Sequence, residues 1–263
     1  MDLLKYNREA WDRQAENGDR WSVPVDSERV ARARTGDWQV VLTPTKPVPR
    51  AWFPAEFKGC KLLGLASGGG QQGPLFAAAG AVVSILDNSP GQLALDGEVA
   101  KREGLEINLV QGDMADLNQF EDGSVDVVFN PCSNCFAPDL APVWRECFRV
   151  LRPGGVLMTG ICNPIMFSFD PELEDKGIFQ LKYPIPYSDL TSLNDTERQC
   201  HLDKNEPMSF GHSLTQQMGG LIQLGFVVDG FYEDSWGGDD RVEAYQGMDK
   251  YFEPFIALRA RKP

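Results

Sequence analysis

The chain has 263 residues, 42% hydrophobic and 24% charged, the balance of a globular protein able to bury a sizeable core. Lys and Arg number 25 against 38 Asp and Glu, so the formal net charge of −13 disfavours nucleic acid and membrane surfaces as partners. No segment approaches the roughly 18 apolar residues of a membrane span, and six irregularly spaced cysteines fit reduced thiols in the cytoplasm better than a disulfide scaffold.

Residues 1–22 read as an amphipathic helix with Tyr6, Trp11 and Trp21 among charges, and 23–57 as an irregular Pro-rich lead-in, "LTPTKPVPRAWFPAEF". From residue 60 strands and helices alternate. "KLLGLA" and "VVSILD" are the first two strands, and Ser89-Pro90 supplies a cap and first position for a helix running to about Gly104. "EINLVQGD" and "SVDVVFNP" follow as strands. Next comes a helix with Leu140, Val143, Trp144, Cys147, Phe148 and Leu151 on one face, and then the strand "VLMTGI". Residues 166–212 break this rhythm with polar and Pro-rich sequence and read as an insertion. A last helix from Ser213 places Leu214, Met218, Leu221 and Ile222 on one face and stops at Gly225. "FVVDGFYED" and "FEPFIALRAR" close the chain as an antiparallel pair joined by a long connection. The pattern predicts one α/β domain over 1–263, with a lid segment at 1–57, a nucleotide-binding core at 58–165, the insertion at 166–212, and a closing helix and strands at 213–263.

The stretch between the first two strands, "ASGGGQQGP", contains Gly68, Gly70 and Gly73 in the G-x-G-x-x-G spacing of dinucleotide sites, and Asp87 ends the second strand where a ribose-binding acid belongs. Three uses compete: a bare strand-to-helix turn, NAD(P), and S-adenosylmethionine (SAM). A bare turn gains nothing from three consecutive glycines, which cost backbone entropy. A short-chain dehydrogenase needs a Tyr with a Lys four residues later, and no Tyr-x-x-x-Lys occurs.

Asp87, Gly112-Asp113-Met114, Asn130-Pro131 and "LRPGG" stand in an order and spacing that resemble the class I SAM-dependent methyltransferases, particularly the small-molecule group similar to the ubiquinone-biosynthesis enzymes. The resemblance covers about residues 60–164. It implies a Rossmann-like, doubly wound sheet of seven strands, mostly parallel with the last antiparallel. It also implies SAM as cofactor and a small-molecule methyl acceptor. In this reading Ala66, Ser67, Gly68, Gly70 and Gln72 form the loop under the cofactor. Asp87 takes the ribose, Asp113 the adenine amino group, Met114 and Gln92 surround the adenine ring, Asn88 and Gly112 are further cofactor-binding residues, and Asn130 offers its carbonyl to the methionine ammonium. The family's first strand carries an acid at the position of Gly64 and a glycine at that of Ala66. Ser67, Gln71 or Gln72 are the local replacements for that acid, and its loss leaves a non-catalytic SAM-fold protein as an alternative reading.

The insertion after the fifth strand commonly lines the acceptor pocket in this family, which makes His212 the candidate substrate contact or general base, with Tyr187 second. Cys132 and Asn134, just past the fourth strand, are expected beside the acceptor. Cys132-x-x-Cys135 lacks the further ligands of a zinc site, so no metal is expected. Tyr6 and Trp11 are expected to close over the pocket as part of a lid.

Overall fold

In the computed structural model, which describes residues 1–174, 176–236 and 248–263, the apolar runs become β1 (Lys61–Leu65), β2 (Val82–Asp87), β3 (Ile107–Gln111), β4 (Val125–Asn130) and β5 (Leu151–Cys162). These five strands are parallel. A seven-stranded sheet of order β3-β2-β1-β4-β5-β9-β8 is completed by β8 (Val227–Asp234) and β9 (Phe255–Arg261), β9 running antiparallel between β5 and β8. The strand order reverses between β1 and β4, and that is where a crevice opens beyond the carboxyl ends of a doubly wound sheet. Most of the expected long connection between the closing strands, 237–247, lies outside the described residues.

Helix α1 is Leu3–Asn17, capped by Asp2 and ended by Gly18 at φ 66°. Helix α2 (Ser27–Arg34) follows an Asp26 cap, inside the stretch expected to be irregular. The local signals for it, an acid cap, Glu28 in the first turn and arginines in the last, outweigh the Pro-rich surroundings. Residues 30–57 then pack onto one face of the sheet. Trp38, Phe53 and Phe57 meet Phe76 and Phe129 in a buried aromatic cluster with ring centroids 5.0–6.3 Å apart. These aromatics are therefore core, while Val41, Leu42, Thr43 and Pro44 of the same segment border the cavity described below.

Helices α3 (Gly73–Ala78) and α4 (Pro90–Glu103) cover the same face, α4 opening on a Ser89 cap and closing at Gly104 with φ 64°. The opposite face takes α5 (Leu140–Val150), whose Leu140, Val143, Trp144 and Cys147 are buried as their spacing requires. The insertion carries α6 (Pro171–Glu174), α7 (Asp195–Lys204) with an Asn194/Glu197 capping box, and the short pair β6 (Tyr187–Ser188) and β7 (Phe210–Gly211). The expected last helix departs from its predicted face. Residues Thr215–Gly219 form a π-helical turn and only α8 (Gly220–Gln223) is α-helical. The wider π turn rotates the face: Leu221 is fully buried, while Leu214 and Ile222 are 47% and 58% exposed. No helix among the described residues is long and apolar enough to cross a membrane.

Candidate active site

A cavity of about 480 Å³ opens at the carboxyl ends of β1 to β5, floored by the glycine loop and roofed by α1. Ala66, Ser67, Gly68, Gln72, Asp87, Asn88, Gln92, Gly112, Asp113 and Met114 all line it, so the residues expected around the cofactor converge from three strand ends and α4. Gly70 and Asn130 do not line it. Asn130 is buried and structural: its Nδ2 donates to the Leu65 carbonyl at 2.9 Å and to Ser133 Oγ at 2.8 Å, and its Oδ1 accepts from Thr159 Oγ1. These bonds tie the ends of β1, β4 and β5 together, and Pro131 is the neighbour that reaches the cavity.

The loop amides are spent inside the protein. Gly68 N–H donates to Asp87 Oδ2, Gly69 N–H to the Gln92 carbonyl and Gly70 N–H to Asp96 Oδ2, each at 3.0 Å. The glycines are needed for close packing. A Cβ at Gly68 would lie 2.7 Å from Gln92 Cβ, at Gly69 2.8 Å from the Trp21 carbonyl, and at Gly70 2.9 Å from the Leu95 carbonyl. With these three N–H groups turned into the protein, Gly68, Gly69 and Gly70 have none to present to a pyrophosphate, which counts against the dinucleotide reading. Ala66 occupies the left-handed region at φ 47°, which costs an alanine what a glycine would not pay.

Asp87 is half-buried, with Oδ1 accepting from Ser89 N and Oδ2 from Gly68 N, both at 3.0 Å. Burial raises its pKa, and the amide bonds from Ser89 and Gly68 oppose the rise. Each oxygen keeps a lone pair for a ribose hydroxyl. Ser67 Oγ is buried in the cavity wall with no hydrogen-bond partner among the described residues, and a Cβ on Gly64 would lie 2.4 Å from it. The serine hydroxyl thus fills the space of an acid at Gly64. A carboxylate with free lone pairs, an unpaired hydroxyl and the Met114 side chain thus line one cavity.

Helix α1 is fastened over the cavity. Asn7 bonds both the amide and the carbonyl of Met208, at 2.8 and 3.0 Å, Asn88 Nδ2 donates to the Leu4 carbonyl at 2.8 Å, and Asp12 accepts from Ser89 Oγ and Gly91 N. Trp11 lines the cavity and packs edge-on against Phe136 at 5.1 Å. Tyr6 does not line it, and its hydroxyl donates to the Glu206 carbonyl at 3.0 Å.

Three other acceptor-side expectations are corrected. His212 is 4% exposed and absent from the cavity wall, its Nε2 held 2.8 Å from the Ala137 carbonyl, and burial lowers its pKa. Tyr187 is buried in the insertion, donating to Asp189 Oδ1 at 2.6 Å. Asn134 is buried behind the wall. Cys132 does line the cavity, and it is joined by Cys135 and by Cys162 at the end of β5, which sequence reasoning passed over. Hydrogen bonds from the Cys132 and Cys135 thiols hold the Cys162 pKa well below the usual thiol value, and those of its two neighbours are raised. Among the described residues no group of three His, Cys, Asp or Glu side chains is arranged to hold a metal ion.

The sequence family described as a methyltransferase domain matches residues 63–159. The uncharacterized methyltransferase YbaJ of Bacillus subtilis (strain 168) is 44% identical over 260 residues, 99% of this chain and 98% of its own length. A sterol 24-C-methyltransferase of Aspergillus fumigatus is 37% identical over 102 residues, 38% of this chain and 27% of that protein. The SAM-dependent methyltransferase structure from Mesorhizobium loti superimposes with a TM-score of 0.61 at 20% identity, covering 81% of this chain and 94% of that one. With the strand order, the acid at the end of β2 and a relative matched along nearly its whole length, the chain belongs to the class I SAM-dependent methyltransferases, and SAM is its cofactor.

Proposed function

We propose that the protein transfers the methyl group of SAM to a small, largely apolar acceptor bound beneath α1. The observation that carries this reading is the second half of the cavity. Beyond the adenosine residues it is walled by Leu3, Leu4, Trp11, Phe136 and Phe255, with the three thiols, Asn7, Thr43 and Ser133 as its polar groups. An apolar enclosure with few polar groups favours an acceptor whose transfer from water is itself favourable.

SAM, when bound, supplies a methyl group on a positively charged sulfur, and transfer requires nucleophile, carbon and sulfur in line. Asp87 orients the ribose, Met114 and Asp113 flank the adenine, and Ser67 Oγ faces the amino-acid end. Trp11 and Phe136 exclude water and place aromatic faces where a sulfonium is attracted. Asp87 and Asp113 serve the adenosine half and His212 is elsewhere. A proton leaving the acceptor therefore meets the thiol group of Cys132, Cys135 and Cys162. Incubation with methyl-tritiated SAM and separate panels of apolar alcohols, isoprenoids and polar metabolites, followed by solvent extraction, tests the reading. Extractable label from the apolar panels is expected. Label confined to the polar panel would overturn the acceptor assignment while leaving the cofactor intact.

A further inference from the structure

Helix α4 buries a face made of Gln92, Leu93, Asp96 and Val99. An aspartate in that row is out of character, because removing a carboxylate from water is costly unless something replaces the water. Asp96 is fully buried and does not reach the cavity. Its Oδ2 accepts from Gly70 N at 3.0 Å and Gly69 adds a further amide contact, while Oδ1 has no hydrogen-bond partner among the described residues. A Cβ on Gly73 would lie 2.9 Å from that Oδ1, so the carboxylate is wedged against both arms of the glycine loop. The strand feeding the loop cannot do this job, since a side chain at Gly64 would collide with Ser67 Oγ and Ile85.

We propose that Asp96 is a positioning residue: as a carboxylate it holds the Gly69–Gly70 turn in the cofactor-binding conformation, and on protonation it releases that hold, so that cofactor affinity depends on pH. The proposal rests on the loop being the SAM cradle and is independent of the acceptor. The charged group facing Asp96 is Asp87 at the end of β2, and Asp12 of α1 stands behind it, acting on Asp87. Burial and then the Asp87 charge push the Asp96 pKa up to about 7, against the Gly70 and Gly69 amides that lower it. The group therefore titrates in the neutral range.

The sign follows by linkage. A ligand that needs the ordered loop prefers the carboxylate form, lowers its pKa and expels a proton. Affinity therefore rises with pH, and for a group at about 7 whose pKa falls well below 6 in the complex, binding at pH 6 is about tenfold weaker than at pH 8. The effect acts through the loop and not through the sulfonium charge, so SAM and its demethylated product S-adenosylhomocysteine share it.

Isothermal titration of both ligands from pH 5.5 to 8.5, in buffers of different ionisation enthalpy, tests this on the wild-type chain, on Asp96→Asn and on Asp87→Asn. The wild type is expected to tighten about tenfold across the neutral range and to release about 0.8 proton at pH 6.5. Asp96→Asn is expected to bind at the low-pH affinity with a flat profile. Asp87→Asn, which removes the facing charge, is expected to bind more weakly overall but to keep the profile with its midpoint moved to lower pH. A profile shown by SAM alone, a flat wild-type profile, or one that Asp87→Asn abolishes would overturn the proposal. Absence of binding by either ligand at every pH would overturn it together with the cofactor assignment.

Discussion

Replacing Asp87 with alanine separates the ligand-binding work of this carboxylate from its structural work. Two ribose hydroxyls lose a charged acceptor, and such hydrogen bonds contribute roughly 1.5–3 kcal/mol. The expected loss of SAM affinity is therefore roughly 10- to 150-fold. The structure adds a second cost. Gly68 N and Ser89 N both donate to Asp87 at 3.0 Å, and removal strands two amides in the cavity wall. An unsatisfied buried donor costs about 1–3 kcal/mol, but loss of the desolvated carboxylate, whose pKa burial raises, offsets part of that. Water entering the widened cavity can solvate the amides as well, so a net destabilisation of about 1–2 kcal/mol is expected. Titration calorimetry with SAM and a urea melt on the same two proteins read both quantities. An unchanged dissociation constant with a lowered melting midpoint would refute Asp87 as the ribose acceptor.

Ala66→Gly relieves the left-handed φ of 47° and is expected to stabilise the fold by about 1 kcal/mol, measured in denaturant, without weakening SAM binding. Asn7→Ala strands the buried Met208 amide and carbonyl and should cost about 2 kcal/mol while raising the exchange rate of α1 amides in hydrogen exchange. Deleting residues 1–22 removes the α1 wall of the cavity, so turnover should be lost while the sheet stays folded by circular dichroism; full activity in the truncated chain would deny α1 a gating role. Asp234 is buried and accepts from Thr45 N and Lys46 N at 2.9 Å, holding the 43–46 segment at the cavity edge. Burial raises its pKa, but the bonds from Thr45 and Lys46 outweigh that and leave it lowered. Its stabilising contribution is thus present above the unfolded carboxyl value near 3.9 and is lost as pH falls below it. Asp234→Asn should flatten the acid limb of the stability curve.

The cofactor half of the site was legible because it depends on strand ends. An apolar run of known length fixes where Asp87, Gly112 and Met114 emerge, and parallel strands bring those ends together whatever lies between them. The acceptor half depends on long-range packing that no local pattern encodes. His212 stands at a helix start in the sequence, yet the buried Ala137 carbonyl claims its ring. Cys162 lies one residue past the strand expected at 156–161, and only the pairing of β4 with β5 sets it beside Cys132 and Cys135. The face of the last helix failed for a different reason. A π turn at 215–219 shifts every later side chain, and the buried Gln217 within it donates to the Cys162 carbonyl at 3.4 Å, a tertiary contact that the local pattern does not show. The glycines of the loop are crowded by residues 21–24 and α4, neighbours distant in sequence that the G-x-G-x-x-G spacing does not reveal.

A crystal structure grown with S-adenosylhomocysteine tests the central claim most directly. Both ribose hydroxyls are expected on the Asp87 carboxylate, the adenine against Met114, and the sulfur turned toward the compartment of Trp11, Phe136 and the three thiols. An adenosine bound with its ribose away from Asp87, or a sulfur facing bulk solvent with no path to that compartment, would contradict the account.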